Sequence, residues 1–267
     1  MKQIFSVLLI TVTAICSAQK TEIYVIGNIH DSVPNYHPKI LLDMLDKIGP
    51  DILLHEVDSE GMEDYAKGND LTGNEIRASN LYSKKNPNTL RLPFEFEGRN
   101  QYRKDHGMVP TDNLSVKLID SLYKTKQLTP KESKIYETFN AFTQELIKIA
   151  EGTPEKFNNS STDRISEKRQ NSQYHELLKI TDSRPEFSKR YVTKPNGEKI
   201  SYKDGFKKMS DFWDLRNKTM AQNIYNIAQQ YPGTKIVVLT GFLHRYYLIK
   251  ELKKRNRQNY ILKEFYE

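Results

Sequence analysis

The chain has 267 residues, one cysteine, and 41 Lys and Arg against 34 Asp and Glu, for a formal charge of +7. This length suits one large core or one domain with an inserted lobe, and a lone thiol excludes an internal disulfide framework. The charges are interleaved, as in Lys131-Glu132, Glu167-Lys168-Arg169 and Lys250-Glu251. That mixing is typical of solvated helix faces and argues against a nucleic-acid partner.

Met1-Lys2-Gln3 precedes an apolar run from Ile4 to Ile15 and the small-residue end Cys16-Ser17-Ala18. A basic start, a short hydrophobic stretch and small residues predict a signal peptide over 1–18, and with it a periplasmic or extracellular location. The run is short for a bilayer span, and bulky Ile15 beside Cys16 is unlike a lipidation signal. No later stretch reaches spanning length, so no integral membrane segment is expected after cleavage. The mature chain, 19–267, is then a single α/β domain without cysteine.

Glu22 to Ile26 reads as a strand left through Gly27-Asn28-Ile29-His30. Pro38 opens a helix with apolar positions at Ile40, Leu41, Leu42, Leu45 and Ile48, stopped by Gly49-Pro50. Asp51 to His55 is a second strand ending at Glu56. This strand-helix-strand unit predicts two parallel, adjacent strands with His30 and Glu56 at their carboxyl ends, the side where open α/β sheets bind ligands. Asp58 to Asn88 is polar and irregular with room for short helices, and would suit a lid. Leu90 to Phe96 reads as a third strand, which Pro93 confines to an edge or a bulge.

Leu114 to Tyr123 and Lys131 to Ala150 carry helical apolar spacing. A polar stretch around Asn158-Asn159-Ser160-Ser161 separates them from a helix through Tyr174 to Ile180, and Tyr191 to Tyr202 reads as a hairpin turning at Pro-Asn-Gly. Residues 112–204 thus predict a helical lobe inserted beside the carboxyl edge of a mixed, mostly parallel central sheet flanked by helices. A long helix over Gly205 to Gln230, a strand over Lys235 to Thr240 apolar enough to be buried on both faces, a helix after Gly241-Phe242-Leu243-His244 and a strand over Tyr260 to Phe265 complete the chain.

Two Gly-x-x-His strand ends, Gly27 to His30 and Gly241 to His244, lie over 200 residues apart. With Glu56 they offer two imidazoles and a carboxylate, a ligand set for a divalent metal ion with a position left for water. In a metal-free version one histidine or Glu56 activates water directly. Arg216 shares the helical register of Met209, Trp213 and Met220, so its guanidinium needs a buried carboxylate such as Glu56 or Glu95, or a substrate anion. With Asn217 it could orient the catalytic carboxylate or stabilise an oxyanion. Asp31, Glu95, Arg99 and His37 form a second tier. His55 should point to the opposite face of its strand from Glu56 and be packed. His106 and His175 give no specific signal, and Tyr246 or Tyr247 could line a groove or ligate haem.

The order Gly-x-x-His, Glu56, Arg216-Asn217 with Met220, and Gly-x-x-His resembles the Tiki/TraB superfamily, which includes the haem-binding ChaN proteins and erythromycin esterases. The resemblance covers most of the mature chain as an order of motifs. It implies an active centre at these residues and metal-dependent protease-like activity, ester hydrolysis or haem binding, among which fold analogy does not choose. The leading expectation is an exported metal-dependent hydrolase of an amide or ester bond acting on a small-molecule or peptide substrate. A haem- or small-ligand-binding envelope protein and a catalytically inactive interaction domain are the alternatives.

Overall fold

The structure is a computed structural model that describes residues 19–67, 72–256 and 259–267. Residues 1–18, read from sequence as a signal peptide and containing Cys16, lie outside the described residues. In chain order the elements are β1 (Thr21–Asn28), α1 (Pro38–Ile48), β2 (Ile52–His55), α2 (Ser59–Ala66), α3 (Asn74–Lys85), β3 (Leu90–Pro93), α4 (Arg99–Asp105), α5 (Met108–Lys124), α6 (Pro130–Ala150), α7 (Pro154–Phe157) and α8 (Ser160–Asn171). After them come a π-helical turn (Ser172–Glu176), α9 (Leu178–Ser183), α10 (Pro185–Ser188), β4 (Tyr191–Thr193), β5 (Lys199–Ser201), α11 (Tyr202–Gln230), β6 (Lys235–Gly241), α12 (Phe242–Arg255) and β7 (Tyr260–Lys263).

The central sheet has the order β3-β2-β6-β1-β7, and all its pairings are parallel. Strands β4 and β5 pair with each other as an antiparallel hairpin. The expected adjacency of β1 and β2 does not hold, because β6 enters between them. The reason is hydrophobic: Ile236, Val237, Val238 and Leu239 are buried on both faces and take the centre of the sheet. The edge reading of the third strand holds, and β3 ends at Pro93, where the missing N–H can no longer donate to the ladder.

Alternation along the strands builds two cores. Ile23, Val25, Ile52, Leu54, Ile236 and Val238 pack against Met220 and Ile224 of α11 and Leu248 and Leu252 of α12. Tyr24, Ile26, Leu53, Val237 and Leu239 pack against Leu41 and Leu45 of α1 and Tyr82 of α3. Helix α1 stops as the sequence suggests, at Gly49, whose left-handed φ of 63° turns its N–H onto the Leu45 carbonyl. The polar segment after β2 is more regular than expected: α2 is capped by Asp58 and α3 packs on α1.

Helices α5, α6, α9 and α10 enclose a separate core of Ile119, Leu122, Phe139, Ile180 and Phe187, closed by Phe206 from the start of α11. The 29 residues of α11 therefore serve two cores. Their first turns pack with the inserted helices and their last turns with the sheet, so Trp213, Arg216 and Asn217 fall where the two meet. Among the described residues no helix is long and apolar enough to cross a membrane.

Candidate functional site

Register places the chemistry. Asn28 pairs with Gly241 and His55 with Leu239, so β1, β6 and β2 end side by side, with the 241–244 turn between His30 and Glu56. At the first turn Asn158 replaces a strand neighbour, accepting from the Gly27 N–H at 2.6 Å and donating to its carbonyl at 3.0 Å. A Cβ on Gly27 would lie 2.7 Å from the Phe242 Cα, which is why the first motif needs glycine.

The second glycine has a different role. A methyl on Gly241 would sit 3.7 Å from His30 Nε2, 3.8 Å from Glu56 Oε2 and 3.8 Å from His244 Cδ2, all ordinary contacts. Its φ of −57° suits any residue. The three predicted side chains thus surround one small space above Gly241. Gly241→Ala is expected to fold within about 1 kcal/mol of the parent, as strain-free substitutions do, with its methyl filling that space. Thermal melts check this, and a loss of several kcal/mol would mean that the three side chains crowd Gly241 more closely than ordinary contact.

Arg216 ties the site together. Its Nε donates to both oxygens of Glu95 at 3.0 and 3.1 Å, Nη1 to His244 Nε2 at 2.8 Å, and Nη2 to Glu56 Oε1 at 2.5 Å and to Glu95. Glu95, placed in the second tier from sequence, is thus a direct partner, and it also accepts from Arg99 at 3.2 Å. Of the five guanidinium N–H groups, one on Nη1 remains for a ligand. Burial works against the charge of Arg216, but Glu56 and Glu95 outweigh it and raise its pKa. Burial likewise pushes the Glu56 carboxyl up. Arg216, Thr240 Oγ1 at 2.6 Å and the Gly241 N–H at 2.8 Å prevail and hold it well below the usual carboxylate range.

The two histidines differ. Asn217 donates its amide to the Trp213 carbonyl at 2.7 Å, which leaves its Oδ1 to accept from His244 Nδ1 at 2.7 Å. His244 therefore carries its proton on Nδ1, and its Nε2 lone pair is taken by Arg216. Burial, reinforced by Arg216 against the pull of Glu56, lowers its pKa to about 3, and Trp213 stacks on the ring at 4.5 Å. His30 has 64 % of its side chain exposed. Its Nδ1 bonds Glu75, which raises its pKa against the effect of burial, while Nε2 faces the space above Gly241. The 29–32 loop is fixed to the start of α3: Asn74 donates to the Ile29 and Asp31 carbonyls at 2.8 and 3.0 Å, and its backbone N–H to His30 O at 2.9 Å.

A divalent metal was expected on His30, Glu56 and His244. The donor set does not fit one: a cation at His244 Nε2 would meet the guanidinium that already occupies that lone pair, and Glu56 Oε2 is taken by two hydrogen bonds. Among the described residues no group of three His, Cys, Asp or Glu side chains is arranged to hold a metal ion.

These residues line a cleft of about 580 Å³, closed on its far side by Asp112, Asn113, Arg169, Gln170, Gln173 and Tyr174 of the inserted helices. Asp31 and Arg99 line it too, and His37 does not. His55 is buried, its Nε2 3.1 Å from Ser79 Oγ, as its strand position suggested. His106 stacks on Tyr102, and His175, Tyr246 and Tyr247 face a neighbouring cavity. Sequence reasoning missed Glu75 and Arg169. The signal for Glu75 was a helix start, Gly73-Asn74-Glu75, inside the stretch read as irregular; nothing local marked Arg169. No protein-family profile, curated protein or solved structure matches this chain.

Proposed function

We propose that the protein is a Tiki/TraB-like hydrolase of an amide or ester bond, exported by its signal-like first 18 residues, and that His30 rather than a metal ion activates water. The observation that carries this reading is the contrast between the histidines. His244 is buried and neutral with both nitrogens engaged, whereas His30 is exposed, oriented by Glu75, and has a free Nε2 beside Glu56. A base works best with a pKa near the operating pH, which suits His30 and not the strongly acidic Glu56.

Water held by His30 Nε2 in the space above Gly241 loses a proton to His30 as its oxygen attacks the carbonyl carbon. The carbonyl electron pair moves onto oxygen, where the free Arg216 Nη1–H, steadied by His244 and Glu95, meets the new charge. Collapse breaks the bond to the leaving nitrogen or oxygen, which takes the proton back from His30. Glu75 holds the ring in the Nδ1–H tautomer throughout. The charged, hydrogen-bonding far wall favours this chemistry over haem, which needs an apolar pocket.

The test is hydrolysis of 4-nitrophenyl acetate by the purified protein in the presence of EDTA. The parent should retain its rate, and His30→Ala should lose about 10²-fold or more in kcat/KM. Glu75→Gln should shift the acidic limb of the pH–rate profile downward, because His30 loses the partner that raises its pKa. A His30→Ala rate equal to the parent's would sink the assignment, and loss of activity in EDTA restored by zinc would return the site to metal chemistry.

A further inference from the structure

The far wall of the cleft carries a cation that the proposed hydrolysis does not use. Arg169 lies near the end of α8, half-buried, with its guanidinium over the Phe139 ring at 5.1 Å. Its Nε donates to Thr143 Oγ1 at 3.4 Å and its Nη1 to Gln170 Oε1 at 2.5 Å. Both partners are neutral, and among the described residues no carboxylate forms an ion pair with Arg169. Other charges on the wall are matched: Asp112 pairs with Arg103 at 3.0 Å, and Arg99 with Glu95 at 3.2 Å.

A half-buried guanidinium with neutral partners is a disfavoured arrangement, which a bound anion relieves. The stack on Phe139 and the two hydrogen bonds fix the plane of the fork and leave three of its five N–H groups free. One residue past α8 the chain enters the π-helical turn, a local widening often found at functional sites. There Gln173 lines the cleft with a buried side-chain oxygen that has no partner, an acceptor open to an N–H or O–H of a ligand. Asn113 of α5 lines the same cleft.

We infer that Arg169 is a subsite for a carboxylate on the substrate, with Gln173 and Asn113 lining the same cleft, so that the substrate is an acid-bearing ester or amide. The inference rests on the cleft being the substrate site of the proposed hydrolase.

Two measurements test it. In the first, kcat/KM is compared for 4-nitrophenyl acetate and the 4-nitrophenyl hemiesters of succinate, glutarate and adipate. The parent should prefer at least one hemiester. Arg169→Met should lower that rate about 10-fold or more relative to acetate, the factor of a charge-assisted hydrogen bond. Arg169→Lys should restore part of the preference. In the second, the single tryptophan of the chain, Trp213 in the cleft wall, reports binding without turnover. Its fluorescence should respond saturably to succinate, glutarate or adipate, not to their diamides, and Arg169→Met should abolish the response.

If no ester is cleaved while Arg169-dependent diacid binding persists, the hydrolase reading fails and the subsite stands. If esters are cleaved with no preference for acids, or with a preference that survives Arg169→Met, the subsite is overturned and the hydrolase stands. Absence of both cleavage and diacid binding overturns the two together. Circular dichroism melts of both variants establish that the fold is intact.

Discussion

Arg216→Met is expected to lose about 3–5 kcal/mol of stability, the usual range when one partner of a buried ion pair is removed, and with it all measurable hydrolysis. The guanidinium is 7 % exposed and donates to Glu56, Glu95 and His244 at once. Methionine fills most of the volume but strands Glu56 and the 4 % exposed Glu95, with only Arg99 left near the latter. Glu56, held well below the carboxylate range in the parent, loses the charge that holds it there. Its pKa rises, so protonation relieves the variant as the pH falls. The stability gap between parent and variant should accordingly narrow from pH 7 towards pH 5, in urea unfolding followed by circular dichroism. Arg216→Lys keeps the charge but lacks a fork able to reach all three partners. It should recover part of the stability and little of the rate. A loss below about 1 kcal/mol for Arg216→Met, the range of an exposed pair, would mean that the network is not closed in solution.

The same network shows what was legible in the chain. The Gly-x-x-His ends, Glu56 and Arg216 are strand-end or helix-register positions, and periodicity locates such positions because backbone geometry repeats. Their convergence required β6 to lie between β1 and β2. No local pattern states this insertion. It follows from competition among three strands for the central place, which the Ile236 to Leu239 run wins by being apolar on both faces. The donor atoms were less legible still. Whether His244 offers a lone pair depends on a relay from the Trp213 carbonyl through Asn217, two side-chain orientations that no spacing encodes. Glu75 and Arg169 lay in stretches that read as polar surface, because a charged residue on a helix has the same sequence signature whether it faces water or a cleft.

Buried neutral histidines also predict how the fold responds to acid. His244 and His55 are 7 % and 1 % exposed, and burial lowers both pKa values to about 3, with Arg91 adding to the effect at His55. An unfolded chain takes up a proton at each ring near pH 6.5, whereas the folded protein does not until about pH 3. The unfolded state therefore binds more protons over this window, and stability falls as the pH falls. Well below pH 6.5 each ring contributes up to about 1.4 kcal/mol per pH unit, and the two together up to about 2.7 kcal/mol per unit. The exposed His30–Glu75 pair has the opposite sign, because a raised pKa stabilises below pH 6.5 and is lost as the pH rises, but solvent screening keeps it small. Urea unfolding between pH 6 and pH 5 should show the steep dependence, and His55→Asn should remove about half of the slope without altering the pH–rate profile. A flat stability curve would mean that neither ring is held neutral in the fold. Over the same range the rate should follow His30 alone, since His244 does not titrate there, so acid inactivation should divide into a reversible loss of the base and a separate loss of the fold, with only the second sensitive to His55.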